Sequence, residues 1–274
     1  MPEDLYIIHN AFSLLLSISL SSSSSNKSCI IFAHKKAKEI INSIQEDLTL
    51  SNTKIIPYSS ITPPLQTILT KRYNTVFLSN PWHKRLIPFY LTIKRARKIN
   101  LIDDGFATIN ENYQLDIKKD LSPLTHRLLK ALNSKIVFDT NYSIFQKPSQ
   151  SFTSAHNTNK CVLIIPNDIL KAFTQNTNIE KHEKNIIIIL GSTQFSAQLI
   201  KETLYPKNES NFKYLLKDHP NLVGGEDQLG CPPEFFLMRN MNSIKKILHC
   251  KSSTAYFTNY ILPEIETEEY SHAQ

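Results

Sequence analysis

Short unbroken apolar runs rich in β-branched residues alternate along the chain with stretches where apolar residues recur every three or four positions. The first kind reads as strand buried on both faces, the second as covering helix. Strands are predicted over residues 5–9, 28–33, 54–58, 75–79, 99–102 and 135–139. Helices are predicted over 11–20, 37–48, 64–73, 83–97 and 121–132, the fourth interrupted by Pro88, which cannot donate inside a helix. The five-serine tract Ser21 to Ser25 is expected to be an exposed turn. Polar residues over 149–159 break the alternation. A second series then follows, with strands over 185–190, 212–216 and 247–250 and helices over 195–204 and 233–241. A last helix is opened by Ser252-Ser253-Thr254. Two series of this kind predict an α/β protein with two Rossmann-like domains, their parallel sheets facing across a cleft. The expected division is residues 1–148, a linker over 149–160, and 161–274.

Three predicted strands end in short polar clusters. Asn100-Leu-Ile-Asp103-Asp104-Gly105 carries two carboxylates out of an apolar run into a turn. In open α/β sheets ligands bind outside the carboxyl ends of the strands, although Asp and Gly are also ordinary turn residues. Gly191-Ser192-Thr193 and Ser252-Ser253-Thr254 stand where helices are expected to begin. There, free backbone N–H groups and hydroxyls suit an anion such as phosphate, while the plainer role of such residues is to cap a helix. Lys217-Asp-His219-Pro220 follows a further strand, and Glu234 opens a predicted helix. Only five glycines occur, at 105, 191, 224, 225 and 230. Such scarcity points to special backbone conformation or close approach at each.

Composition narrows the classes. A chain of 274 residues with 41% hydrophobic and 20% charged residues is an ordinary globular one. The net charge of +7 is partly gathered in Lys94-Arg95-Ala96-Arg97-Lys98 and Lys245-Lys246. These clusters suit an anionic substrate or membrane face; no nucleic-acid motif is legible, so nucleic acid is not an expected partner. The cysteines (29, 161, 231, 250) form no Cys-x-x-Cys, and no His-x-x-x-His occurs, so no metal site is expected and the thiols read as reduced and cytosolic. The apolar segment 14–20 is too short for a membrane span and lacks a basic lead-in, so it does not read as a secretion signal.

Taken in order, Asp103-Asp104-Gly105, His219-Pro220, Pro233-Glu234-Phe-Phe-Leu-Met238 and Ser252-Ser253-Thr-Ala-Tyr-Phe257 resemble the motifs of bacterial sialyltransferases. The resemblance spans most of the chain, from Asp103 to Phe257, through motifs of two to six residues each. It implies a GT-B fold and inverting, metal-independent transfer of sialic acid from CMP-sialic acid to a sugar of a surface glycan, with no cofactor. The resemblance makes Asp103 the base and gives Asp104 and Gly105 the placing of the loop and acceptor. His219 would bind or protonate the departing phosphate, and Ser252 and Ser253 would donate to it. The pair 253/254 is the alternative reading of the serine motif. Glu234 would hold the ribose hydroxyls, with Lys217 and Pro220 beside the donor. Gly191 and Ser192 are placed near the nucleotide by position alone. CMP-Kdo, a UDP-sugar, or an inactive nucleotide- or glycan-binding relative are the alternatives. The basic cluster at 94–98 suits peripheral contact with the anionic inner membrane of a bacterium. The acidic stretch 264–270 is expected to be frayed.

Overall fold

The computed structural model describes residues 3–44, 52–58, 71–145, 148–156, 160–174, 184–192, 194–205, 211–219, 222, 224–250 and 252–271. The chain forms two compact units, Met1–Ala172 and Phe173–Gln274. Among the described residues the first holds seven strands: β1 (Glu3–Ile8), β2 (Lys27–Phe32), β3 (Thr53–Pro57), β4 (Thr75–Leu78), β5 (Lys98–Ile102), β6 (Thr140–Ser143) and β7 (Cys161–Leu163). They lie in the order β3-β2-β1-β4-β5-β6-β7, and every pairing is parallel. The chain steps outward from β1 to β3, then returns to the other flank of β1 as β4. The order therefore reverses between β1 and β4, where ligands enter such sheets.

Apolar runs explain the central strands: Leu5, Ile8, Ile30, Ile31, Val76, Leu78, Leu101 and Ile102 are all fully buried. The helix Ala11–Ser22 is buried nearly all round through Leu14, Leu15, Leu16 and Ile18. It extends into the serine tract expected to be a turn. Ser21 and Ser22 both donate their hydroxyls to Ile18 O, so the polar side chains are satisfied inside the helix.

The second unit holds β8 (Ile186–Leu190), β9 (Lys213–Lys217), β10 (Ile244–His249) and β11 (Glu266–Glu269). All are parallel, in the order β11-β10-β8-β9, with the reversal between β8 and β10. A separate core of Ile187, Ile189, Ala197, Ile200, Leu216 and Leu248 lies beneath it.

Several expectations are corrected here. In its described residues the expected linker over 149–160 is part of the first unit: Gln150–His156 is a helix whose Phe152 is fully buried there. Cys161–Leu163 then pairs with β6 in the first sheet. The predicted strand over 135–139 is mostly loop: Ile136 and Phe138 fill the core, and pairing with β5 begins only at Phe138, after which Asp139 N donates to Ile99 O at 2.8 Å. The strand itself is the polar Thr140–Ser143. The interrupted helix is a 3₁₀ turn, Lys84–Phe89, containing Pro88, followed by the helix Tyr90–Arg95. The acidic end is not frayed, since β11 pairs with β10 and Lys246 reaches Glu266 and Glu268. The predicted helix at 64–73 and the end of that at 37–48 lie largely outside the described residues. Among the described residues no helix is long and apolar enough to cross a membrane.

Candidate functional site

At the carboxyl edge of the first sheet, β5 runs into Asp103, whose N–H donates to Tyr142 O. Gly105 turns the chain with φ 73° and opens the short helix Phe106–Ile109, a conformation side-chain-bearing residues rarely adopt. The Asp103 carboxylate is completely buried. One oxygen accepts from Gly105 N (2.9 Å) and Thr108 Oγ1 (2.6 Å). The other accepts from Ser143 Oγ (2.6 Å) and Ile144 N (3.1 Å). Burial pushes the Asp103 carboxyl up to about 7, against these four bonds, which hold it down. Such a group ties together the turn, β6 and the helix start. Both oxygens of the residue expected to act as base are thus engaged by donors of the protein itself.

Asp104 is placed differently. Its Oδ1 accepts from Asn10 Nδ2 and lies 3.3 Å from His9 Nε2, while Oδ2 accepts from Asn80 Nδ2 at 3.2 Å. These partners stand just past β1 and β4, so three strand ends converge at the point where the strand order reverses. Each asparagine is held one way round. Ser13 N donates to Asn10 Oδ1 at 2.7 Å, and Trp82 N donates to Asn80 Oδ1 at 2.9 Å. Both amide nitrogens are thereby aimed at Asp104. The Tyr113 hydroxyl also donates to Asn80 Oδ1 (3.3 Å), and His156 Nε2 lies 3.1 Å from that hydroxyl.

His9 Nδ1 pairs with Ser79 Oγ at 2.8 Å, and its ring stacks on His83 with centroids 4.5 Å apart. Burial, then the charges of His9 and Arg85, lowers His83 to about 3. His83 is therefore neutral at physiological pH, and the stack carries at most one positive charge. His9, Asn10, Ser79 and Asn80 were missed in the sequence reading. The signal was present: like Asp103-Asp104, they follow directly on apolar runs.

In the second unit the loops after β8 and β9 meet, with Gly191 N donating to Lys217 O at 2.9 Å. The helix predicted over 195–204 follows the Gly191-Ser192 turn and starts at Ala197, capped by Ser196. Its Ala197 N–H donates to Asp218 Oδ1 at 2.6 Å. That helix end already holds an internal carboxylate, so it is not an open phosphate site. Ser192 Oγ accepts from Phe195 N within its own turn. Lys217 Nζ pairs with Asp227.

Ser252 caps the helix Ser253–Ile261, the plainer of the two roles open to it, by accepting from Thr254 N. Ser252 and Ser253 are half-buried. Glu234 is buried at the start of the helix Pro233–Asn240 and accepts from Thr254 Oγ1 at 2.8 Å. Burial raises the Glu234 carboxyl, while Thr254 and the Lys217 charge hold it down. His219 is exposed directly after Asp218. Thr193 and Pro220 lie outside the described residues.

Two all-parallel α/β units, each with polar side chains at the carboxyl edge of its sheet, constitute a GT-B-like fold. Among solved structures the chain is similar to the UDP-N-acetylglucosamine 2-epimerase from Rickettsia bellii, with a TM-score of 0.55 and 11% sequence identity. The match covers 97% of this chain and 78% of that one. At that identity the likeness is one of fold. No protein-family model and no curated protein sequence matches the chain.

Proposed function

We propose that this protein is an inverting glycosyltransferase that moves sialic acid from CMP-sialic acid to a terminal sugar of a bacterial surface glycan, lipooligosaccharide or capsule. The observation that carries the reading is the acidic Asp103-Asp104-Gly105 turn at the switch point of a GT-B-like first unit. A carboxylate there suits a reaction in which an acceptor hydroxyl must lose its proton. In the second unit, Glu234 takes the ribose hydroxyls, Lys217 lies beside the donor, and His219 with Ser252 and Ser253 meets the phosphate as its charge develops. Hydrogen bonds and one imidazole suffice for a single leaving phosphate, so no metal is required. The exposed Lys94, Arg95, Arg97 and Lys98 supply a peripheral contact with an anionic inner-membrane face.

A second reading, transfer or rearrangement of a UDP-sugar, is favoured by the fold neighbour, whose name specifies UDP-N-acetylglucosamine. The test measures nucleotide release from CMP-sialic acid, CMP-Kdo and UDP-N-acetylglucosamine with galactose- and sialic acid-terminated acceptors. Acceptor-dependent release of CMP from CMP-sialic acid alone is expected. Turnover confined to the UDP-sugar would replace the reading with the second one. CMP binding without any turnover would leave a nucleotide-binding relative.

A further inference from the structure

We propose that Asp104, and not its neighbour Asp103, is the carboxylate that takes the acceptor proton, and that His9, Asn10 and Asn80 position it. The inference rests on the glycosyl-transfer reading and names the base within it. A carboxylate offers roughly four lone-pair directions. Asp103 spends all of them on Gly105, Thr108, Ser143 and Ile144, with no exposure at all. Asp104 gives two directions of Oδ1 to Asn10 and His9 and one of Oδ2 to Asn80. Among the described residues one direction of Oδ2 remains, and 6% of the side chain is open to solvent.

The shell around Asp104 is built rather than incidental. Two backbone N–H groups fix the two amides so that nitrogen, and not oxygen, faces the carboxylate. Amide donors orient a carboxylate without the fixed positive charge that would make it a poor base. His9 is held from behind by Ser79 and stacked on a neutral His83. The site also lies where the strand order reverses, the position ligands occupy in such sheets.

In the step, the acceptor O–H bond breaks and its proton goes to Asp104 Oδ2. The freed oxygen pair forms the new bond to the anomeric carbon of sialic acid. The bond from that carbon to the phosphate oxygen breaks, and its electron pair leaves with CMP.

The test compares Asp104→Asn with Asp103→Asn in steady-state transfer. Asp104→Asn is expected to stay folded, keep the donor KM within a few-fold, and lose about 100-fold or more in kcat. Asp103→Asn is expected to lower Tm while the folded protein keeps kcat within about ten-fold. Full activity in Asp104→Asn, or an equal kcat loss in a folded Asp103→Asn, would overturn the assignment. Should Asp103→Asn not fold, Ser143→Ala removes one donor from Asp103. The pH profile of kcat then stays in place if Asp104 is the base; an upward move of its acidic limb would point back to Asp103. His9→Ala should lower kcat and move the same limb, and His9→Gln, which retains an N–H, should restore most of the rate. Indifference of both would remove His9 from the positioning role.

Water-soluble carbodiimide labelling read by mass spectrometry needs no turnover. Modification of Asp104 without Asp103 is expected, and the reverse pattern would sink the proposal. Absence of turnover in the wild type together with Asp104-only labelling would remove the glycosyl-transfer reading while leaving Asp104 as the open carboxylate of the pair.

Discussion

Gly191 is required by its neighbour rather than by its own backbone. A Cβ there would collide with Asp218 Oδ1 and sit 2.8 Å from Ala197 N, and one at Gly225 would sit 2.7 Å from Asp218 Cβ. The carboxylate that caps the helix Ala197–Leu204 therefore fits only between two residues without side chains. Gly191→Ala should destabilise the second unit by about 1–3 kcal/mol, read as a lower urea midpoint. Thr254→Val removes the side-chain donor to buried Glu234 and should cost about 1–3 kcal/mol, with weaker nucleotide binding if Glu234 faces the ribose. At this scale the acidic turn was legible because apolar strand residues run straight into it. Which carboxylate is closed was not. That depends on Ser143 and Thr108, 40 and 5 residues away from Asp103, and no local pattern encodes such a meeting.

Elements were legible where burial is apolar and illegible where it is polar. β6 reads Thr-Asn-Tyr-Ser, with Asn141 and Ser143 fully buried, so hydrophobicity points instead to the adjoining Ile136 and Phe138. The strand is polar because Ser143 serves the acidic turn. The helix Gln150–His156 hides for a related reason: Phe152 is its only large buried apolar residue, and buried His156 packs against Phe152 at 4.4 Å between ring centroids. β11 was obscured by its charge. Lys246, opposite Glu266 in the ladder, pairs with Glu266 and Glu268, and this turns an acidic tail into an edge strand. Removing that cation by Lys246→Ala should loosen β11 by up to about 1 kcal/mol, since the carboxylates are half-exposed. Faster amide exchange confined to 266–269 is the expected readout.

The first unit responds to pH as a whole. Burial lowers His34, and lowers His83 and His156 to about 3, whereas it raises Asp103 to about 7. On unfolding the histidines return toward 6.5 and the aspartate toward 3.8. Below pH about 6.5 the unfolded unit thus takes up protons on three histidines, while the native unit keeps one extra on Asp103. The unfolded form binds more protons, so stability falls as pH drops from about 6.5 toward 4. The aspartate acts in the opposite sense, its contribution being lost as pH rises through about 7. His156→Phe should flatten the acid slope by about 1.4 kcal/mol per pH unit. The measurement is direct: Trp82 is the chain's single tryptophan and lies in the first unit, so urea melts followed by its fluorescence report that unit.

The switch point between β1 and β4 also sets a timetable. No strand in either sheet can pair with its predecessor through a hairpin, and Asp4 must wait for Thr75, roughly seventy residues downstream. The nest around Asp104 draws on residues from 9 to 104, so it closes only after β1, β4 and β5 have docked. A nascent or refolding chain should gain helical signal well before it gains a shielded Asp104. Until then the unpaired edges of β1 and β4 are open to other chains, and refolding yield should fall with protein concentration. The convergence that gathers partners around Asp104 is thus also the step at which the chain is most exposed to misassembly.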